Sequence, residues 1–200
     1  MLGSMRRFAF VFSAFALAGI SHASLFLVNS PATFYRANSE TPYSTFAIDL
    51  NANGFYAGQT VVMSRVGAYN QFGGPTPLAF GLSAVFSSTS TLLSSTNLNR
   101  VTGAIDAGTD WVSPNTFVGG LSTDIAEDFL VDNFSGTGSP VTIVIPTGAQ
   151  YIFAAAIDDF YSDNNNTPEF YISITEAVPE PMTMAVLGLG AVALLRRRRK

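Results

Sequence analysis

The sequence predicts an all-β protein, built as a two-sheet β-sandwich or jelly roll. Short runs rich in Val, Ile, Phe, Tyr and Thr alternate along the chain with clusters of Gly, Pro, Asn and Ser. Many short strands at this spacing are typical of two packed sheets. Both ends of the chain differ from this pattern, which predicts three parts: a signal peptide at 1–23, a β-sandwich domain at 24–177 and a hydrophobic sorting tail at 178–200.

Six strands are predicted, at residues 45–50, 60–66, 79–86, 141–145, 151–157 and 169–175. Asn53-Gly54 is a turn signal between the first two strands. Pro146-Thr147-Gly148 predicts a hairpin or a corner between the fourth and fifth.

One segment has two interpretations. Leu121, Ile125 and Phe129 have helical spacing, whereas Phe129 and Val131 alternate as in a strand. We expect a short helix or an irregular stretch, followed by a strand.

The N-terminus has the composition of a secretory signal peptide. Arg6 and Arg7 precede an apolar run over residues 8–20, and Ser21-His22-Ala23 follows it. The small residues Ser21 and Ala23 flank His22, so we expect cleavage between Ala23 and Ser24. A permanent N-terminal anchor is the alternative, but thirteen apolar residues are fewer than the 17 or so that a spanning helix needs.

The C-terminus contains a rigid break, an apolar stretch and a basic end. The break is Val178-Pro179-Glu180-Pro181, and the apolar stretch runs over residues 182–195. Fourteen residues are short of the roughly 20 of a stable spanning helix, so the tail is a marginal, transient membrane anchor. The terminal cations Arg196, Arg197, Arg198, Arg199 and Lys200 would stay on the cytoplasmic side.

These three parts, in this order, resemble the PEP-CTERM sorting signal of exported bacterial proteins. The resemblance implies recognition by an exosortase-type membrane transpeptidase. It also implies a location in the cell envelope or extracellular matrix of a Gram-negative-type bacterium, often in association with exopolysaccharide.

The charge of the body excludes some partners. Residues 24–181 contain all 14 acids and only Arg36, Arg65 and Arg100 as cations, which gives a formal charge of −11. Such a surface repels nucleic acid and anionic lipid, and it attracts divalent cations.

The residue types that are missing exclude much chemistry. His22 is the only histidine, Lys200 is the only lysine, and the chain has no cysteine. After signal cleavage the body therefore has no Ser-His-Asp triad, no cysteine nucleophile and no zinc site of the usual His/Cys type. We expect no catalytic residues. The alternative that survives is a glycan hydrolase with paired carboxylates.

The segment with the most specific chemistry is residues 156–174. Its oxygen-bearing side chains, Asp158, Ser162, Asp163, Asn165 and Asn166, lie between two predicted strands. Calcium prefers about six to eight oxygen ligands from carboxylates, amides and carbonyls. We therefore expect calcium as a cofactor here, with Asp159 as additional charge. An ordinary Asp/Asn turn is the alternative.

The same segment resembles the calcium loop of small galactose-binding bacterial lectins of the PA-I type. In that family an Asp is followed by a Thr, then by a paired Asn-Asn and a final alternating strand. Asp158, Ser162, Asn165 and Asn166 have the matching positions, and Ser162 replaces the Thr. The resemblance implies calcium-dependent carbohydrate binding and a further backbone carbonyl, for which residues 69–71 are the candidate. Pro168-Glu169 departs from the family at the sugar pocket.

Overall fold

The computed structural model describes residues 22–34, 43–74, 77–94, 100–108, 117–118, 121–122, 125, 127–132, 140–158 and 161–177. Residues 21–177 form one compact unit. The predicted signal peptide up to residue 21, the sorting tail from residue 178 and the predicted auxiliary residue Asp159 lie outside the described residues.

The described part of the chain consists of short strands and two 3-10 turns, Asn51–Asn53 and Tyr161–Asp163. In chain order the strands are β1 (Ala23–Leu27), β2 (Ala32–Thr33), β3 (Tyr43–Ser44), β4 (Ile48–Asp49), β5 (Thr60–Gly67), β6 (Tyr69–Asn70), β7 (Leu78–Ala79), β8 (Leu82–Ser87), β9 (Ala104–Ile105), β10 (Phe117–Val118), β11 (Leu121–Ser122), β12 (Phe129–Asp132), β13 (Val141–Val144), β14 (Tyr151–Ala156) and β15 (Phe170–Glu176).

The first main sheet is four-stranded and antiparallel, in the order β1-β15-β5-β13. The first and last strands of the body are therefore neighbours, with Leu25 opposite Ser173. Burial alternates along β13 and β15 because one face of this sheet covers the core. The strand residues that this face buries are Val61, Met63, Val141, Ile143, Phe170, Ile172 and Ile174.

The second main sheet is antiparallel and contains β12, β8, β14 and β4, with β9 also paired to β8. All six residues of β8 are buried, and so are five of the six in β14. This sheet is buried on both faces. Leu82, Phe86 and Ile152 join the core of the first sheet, while Val85 and Phe153 join a second cluster with Tyr161. Two-sided burial explains why β14 is an apolar run without polar alternation, and why β8 is also apolar apart from Ser83 and Ser87.

The all-β prediction is confirmed for the described residues, and the two main sheets are antiparallel. Strand pairs β6–β7 and β10–β11 are also antiparallel, whereas the two-residue pair β2–β3 is parallel. The predicted strands 60–66, 141–145, 151–157 and 169–175 correspond to β5, β13, β14 and β15. The expected strand after residue 125 is β12, and the Asn53-Gly54 turn is present, with Gly54 in the left-handed region at φ 80°.

Two expectations need correction. Predicted strand 79–86 is two strands, β7 and β8, separated at Phe80-Gly81. Predicted strand 45–50 is regular only at β4, and Thr45 contacts the second main sheet through its hydroxyl, which donates to Ala154 O. Of the two alternatives for Pro146-Thr147-Gly148, the structure has the corner, which takes the chain from one main sheet to the other. Within the described residues, no helix is long and apolar enough to cross a membrane.

Candidate functional site: the loop end of the four-stranded sheet

Three segments of the chain meet at one end of the four-stranded sheet. Strands β1 and β5 run toward this end and continue into residues 28–30 and 68–74, while residues 157–169 lead into β15. We call these three segments the loop end. At the opposite end of the sheet, which we call the closing end, Glu176 N donates to His22 O and Ala177 N donates to Thr60 O. Ala177, the last described residue, therefore lies at the closing end.

Asp158 is the charged residue at the centre of the loop end. It follows β14, is only 4% exposed, and accepts a hydrogen bond from Gln71 Nε2 at 3.0 Å from its Oδ1. Tyr69 lies beside it, fully buried, and donates its hydroxyl proton to Ile157 O at 2.6 Å. Burial raises the pKa of Tyr69, and the charges of Asp158 and Tyr161 raise it further. The Asp158 carboxylate therefore acts in a poorly solvated environment, where a cation would interact with it more strongly than in water.

Asn165 joins the 157–169 segment to the 68–74 segment. Asn70 and Asn165 exchange two backbone hydrogen bonds, of 3.0 and 3.1 Å. The amide oxygen of Asn165 accepts from Asn70 Nδ2 and from Thr167 N, and its amide nitrogen donates to Gly73 O, all at 3.1 Å. Asn70 Nδ2 also donates to Thr167 O. The side chain of Asn165 thus has a structural role in which its oxygen already accepts hydrogen bonds.

Asn164 and Asn166 join the same segment to residues 28–30. Ser30 N donates to Asn166 Oδ1 at 2.8 Å, and Asn166 Nδ2 donates to Asn29 Oδ1 at 3.2 Å. Asn164 Nδ2 donates to Ser30 O at 3.1 Å. Residues that are more than 130 positions apart in the chain are therefore held together by asparagine side chains.

The predicted ligands Ser162 and Asp163 lie on the 3-10 turn Tyr161–Asp163. Ser162 is exposed and Asp163 is half-buried. The structure thus brings all five predicted residues into one segment at the loop end. Sequence reasoning missed Asn29, Ser30 and Asn164. It named residues 69–71 only as the source of a backbone carbonyl, and so missed the side-chain contacts of Asn70 and Gln71. The signal that could have identified Asn70 is its position just after a long apolar strand.

The oxygens at the loop end suit a hard cation. Beyond the oxygens that already accept hydrogen bonds, Ser30 Oγ, Asn70 Oδ1 and Asn164 Oδ1 are buried and have no hydrogen-bond partner among the described residues. A buried polar atom without a partner costs about 1–3 kcal/mol, so such atoms call for a bound ion or water. Among the described residues, no three His, Cys, Asp or Glu side chains lie close enough together to hold a metal ion by themselves. A cation here would depend on neutral oxygens together with Asp158 and Asp163, which is chemistry that calcium accepts.

The other acidic residues have different surroundings. Four acids are close together in the sequence, which predicts a solvated acidic face, with a carboxylate site as the alternative: Asp124, Glu127, Asp128 and Asp132. Asp124 lies outside the described residues. That expectation is wrong for Asp128 and Asp132, which are buried. Asp128 accepts from the Ser83 hydroxyl at 3.0 Å, and Asp132 forms an ion pair with Arg65 at 2.5 Å. The two carboxylates therefore have separate partners, a hydroxyl for Asp128 and a guanidinium for Asp132.

Comparison with known proteins identifies one motif. Residues 177–200 match the family model described as the PEP-CTERM protein-sorting motif. This motif supports export, sorting through the C-terminal tail, and processing by an exosortase-type enzyme in a Gram-negative-type envelope. No curated protein matches the chain. No solved structure matches it either.

Proposed function

We propose that this protein is an exported β-sandwich domain that binds calcium at its loop end and, through it, carbohydrate of the cell envelope or extracellular matrix. The observation that carries the proposal is the meeting of three distant segments around oxygen-bearing side chains. Three of these, Ser30, Asn70 and Asn164, have a buried oxygen with no hydrogen-bond partner among the described residues. In this proposal the domain recognises a ligand and has no catalytic residues.

The sandwich assignment is supported by the shared core. Buried residues of the four-stranded sheet and of the five-stranded sheet belong to one hydrophobic cluster. Two sheets with one core between them correspond to the layered arrangement of sandwich folds.

The calcium assignment is supported by the charge and the ligand chemistry. Asp158 and Asp163 supply negative charge, while Ser30, Asn70 and Asn164 supply neutral oxygens. Because the amide oxygens of Asn165 and Asn166 accept backbone hydrogen bonds, these residues would either exchange those bonds for the metal or support the ligands from behind. Calcium tolerates irregular geometry, whereas magnesium requires a small octahedral shell, so magnesium should bind less well.

The carbohydrate assignment is supported by the position of the loop end and by Phe72. This aromatic residue is 63% exposed and lies between Gln71 and Gly73, the residues that contact Asp158 and Asn165. An exposed ring beside a calcium ion can pack on the apolar face of a sugar while the ion binds its hydroxyl groups. The loop end also lies opposite the closing end, from which the chain continues to the sorting motif.

The test is calcium-dependent thermal unfolding. Metal that binds only the folded state adds about 2.7 kcal/mol at a hundred times its Kd, which corresponds to about 5–10 °C for a domain of this size. We expect this rise with millimolar calcium, its reversal by a chelator, and its loss in Asp158→Asn, which can still accept from Gln71 but has no charge. Asp106→Asn, an exposed residue whose carboxylate accepts from Gly108 N, is the matched control and should keep the full rise.

Sugar binding needs a separate measurement. On a glycan array, calcium-dependent binding that is lost in Phe72→Ala but kept in Phe46→Ala, another exposed aromatic, would support the carbohydrate role. If calcium raises the unfolding temperature and no glycan binds, the calcium site is structural and the carbohydrate part of the proposal is wrong.

A further inference from the structure

The predicted signal-peptide cleavage bond lies inside a paired strand. Cleavage between Ala23 and Ser24 falls at the start of β1, where Ala23 lies opposite Thr175 and Ser24 lies opposite Ile174. The partner strand β15 is the last strand of the body and directly precedes the sorting motif. The two ends of the domain are therefore adjacent strands of the same sheet.

The backbone around this bond is held on the side that faces β15. Glu176 N donates to His22 O at 2.9 Å, and Val28 N donates to Phe170 O at 2.8 Å. Antiparallel ladders alternate, so the even-numbered positions of β1 are the hydrogen-bonded ones. The amide nitrogen of Ser24, which leaves when the bond is cut, thus belongs to the ladder with Ile174.

His22 fixes the other side of the bond. Its Nε2 lies 2.6 Å from Asn53 O, and its ring centroid is 5.0 Å from that of the buried Phe55. The sequence on both sides of the predicted bond therefore has contacts in the folded body that a peptidase would have to break before it could bind this segment in its own groove.

The C-terminal processing point differs. Ala177 is the last described residue, and its backbone N–H donates a hydrogen bond to Thr60 O at 2.9 Å. The Pro179-Glu180-Pro181 break begins two residues later. A cut near Pro181 would therefore leave β15 and its ladder intact.

We propose that folding separates the two processing events: the signal peptide is removed while β1 is still unpaired, and the tail is removed from the folded body. In the first step a membrane signal peptidase uses water to break the Ala23–Ser24 peptide bond, which leaves a carboxylate on Ala23 and an ammonium group on Ser24. Because β15 crosses the membrane last when the chain is exported from its N-terminus, β1 has no partner until then. This inference favours export of an unfolded chain, and it rests on the export part of the proposed function and not on calcium.

The experiment compares cleavage of folded and unpaired substrates by a purified signal peptidase. The substrates are the refolded full-length chain in detergent, its Phe26→Pro and Leu27→Pro variants, and the matching peptides of residues 15–30. The N–H of Phe26 is on the side of β15 and that of Leu27 is on the open edge, where proline is tolerated. Both changes leave residues 21–25 unaltered, and equal cleavage of the three peptides establishes that the peptidase accepts each sequence.

We expect the folded wild-type chain to be cleaved at least about tenfold more slowly than its peptide, because each factor of ten corresponds to only about 1.4 kcal/mol of strand-opening free energy. Leu27→Pro should remain as slow as wild type, and Phe26→Pro should approach the rate of the peptide. A folded wild-type chain cleaved at the peptide rate, or equal rates for the two variants, would overturn the proposal. A chelator should change none of these rates, which separates this test from that of the calcium site.

The order of events has its own test in the native host. A strain without the transpeptidase should accumulate a chain that begins at Ser24 and ends at Lys200, as measured by intact mass. Recovery of a chain that still has residues 1–23 but has lost residues 182–200 would contradict the proposed order.

Discussion

The two ends of the four-stranded sheet are built from similar residues but are held together in different ways. At the closing end, the Asn53 side chain donates to Asp49 O, only four positions away. At the loop end, Asn70 donates to Thr167 O, 97 positions away, and Asn164 donates to Ser30 O, 134 positions away. At the closing end, backbone hydrogen bonds such as that from Glu176 N to His22 O join the distant segments, and the asparagine side chain bonds locally. At the loop end, asparagine side chains themselves join the distant segments. Asparagine side chains in a loop can therefore hold distant segments of the chain together as well as offer oxygens to a metal ion.

The largest expected effect is the loss of stability when a glycine at the loop end, and not one at the closing end, is replaced by alanine. Gly67, at the loop end of β5, has φ 83°, and a Cβ there would lie 1.8 Å from Glu169 O. Gly67→Ala should lower the free energy of unfolding by about 2–5 kcal/mol, from the left-handed backbone and the steric overlap together. Gly58, in the turn before β5 at the closing end, has φ 88° and no atom within 4 Å of such a Cβ.

Gly58→Ala is therefore the matched control and should cost only about 1–2 kcal/mol, for the backbone conformation alone. Urea unfolding of both variants measures the two values. Equal losses would mean that the approach of β5 to Glu169 is not as tight as the structure has it.

A smaller loss of stability is expected when an asparagine at each end is replaced by alanine. Asn70 is 2% exposed, and its amide group donates to Asn165 Oδ1 and Thr167 O. Asn70→Ala should cost about 1–3 kcal/mol, because it removes two partly buried hydrogen bonds that join distant segments. Asn53→Ala at the closing end should cost about 1 kcal/mol or less, since it removes one partly exposed local bond. Chemical denaturation compares the pair, and a larger loss for Asn53→Ala would reverse the contrast between the two ends.

The smallest expected effect is a fall in the free energy of unfolding at alkaline pH. Burial, followed by the charges of Asp158 and Tyr161, raises the pKa of Tyr69 in the folded protein. Above about pH 10 the unfolded chain therefore loses the Tyr69 proton before the folded chain does, and stability falls as pH rises, by at most about 1.4 kcal/mol per pH unit for this group.

Tyr69→Phe should remove this contribution while lowering stability near neutral pH through loss of the hydrogen bond to Ile157 O. Denaturation of the wild type and of Tyr69→Phe between pH 8 and about pH 11 checks the difference in slope, since tyrosine titrates near pH 10. Identical slopes would mean that Tyr69 ionises as readily in the folded protein as in the unfolded chain.

The sequence predicted the strands better than the contacts between them. Strands β5, β13 and β15 were predictable because one face is buried and the other is not, which produces alternation, and β14 because its apolar run is bounded by turn residues. Strand β1 was missed because its residues directly follow the signal-peptide pattern, and its pairing with β15 depends on a contact across the length of the body.

The candidate site was predictable only in part, for the same physical reason. Asp158, Ser162, Asp163, Asn165 and Asn166 are close in sequence, so their spacing alone identified the segment. Whether an amide oxygen accepts a backbone hydrogen bond, as Asn166 does from Ser30, depends on another segment and leaves no local pattern. The burial of Asp132 depends likewise on Arg65, which lies on a different strand of the other main sheet.

The most direct test of the calcium claim is terbium luminescence. Terbium replaces calcium at oxygen sites, and its emission is sensitised by a nearby tyrosine, which here would be Tyr69, the neighbour of both Asp158 and Tyr161. We predict saturable sensitised emission that calcium displaces, that Asp158→Asn abolishes, and that Tyr69→Phe weakens, with Asp106→Asn behaving as wild type. Emission that is absent from the wild type, or that persists unchanged in Asp158→Asn, would contradict a calcium site at the loop end.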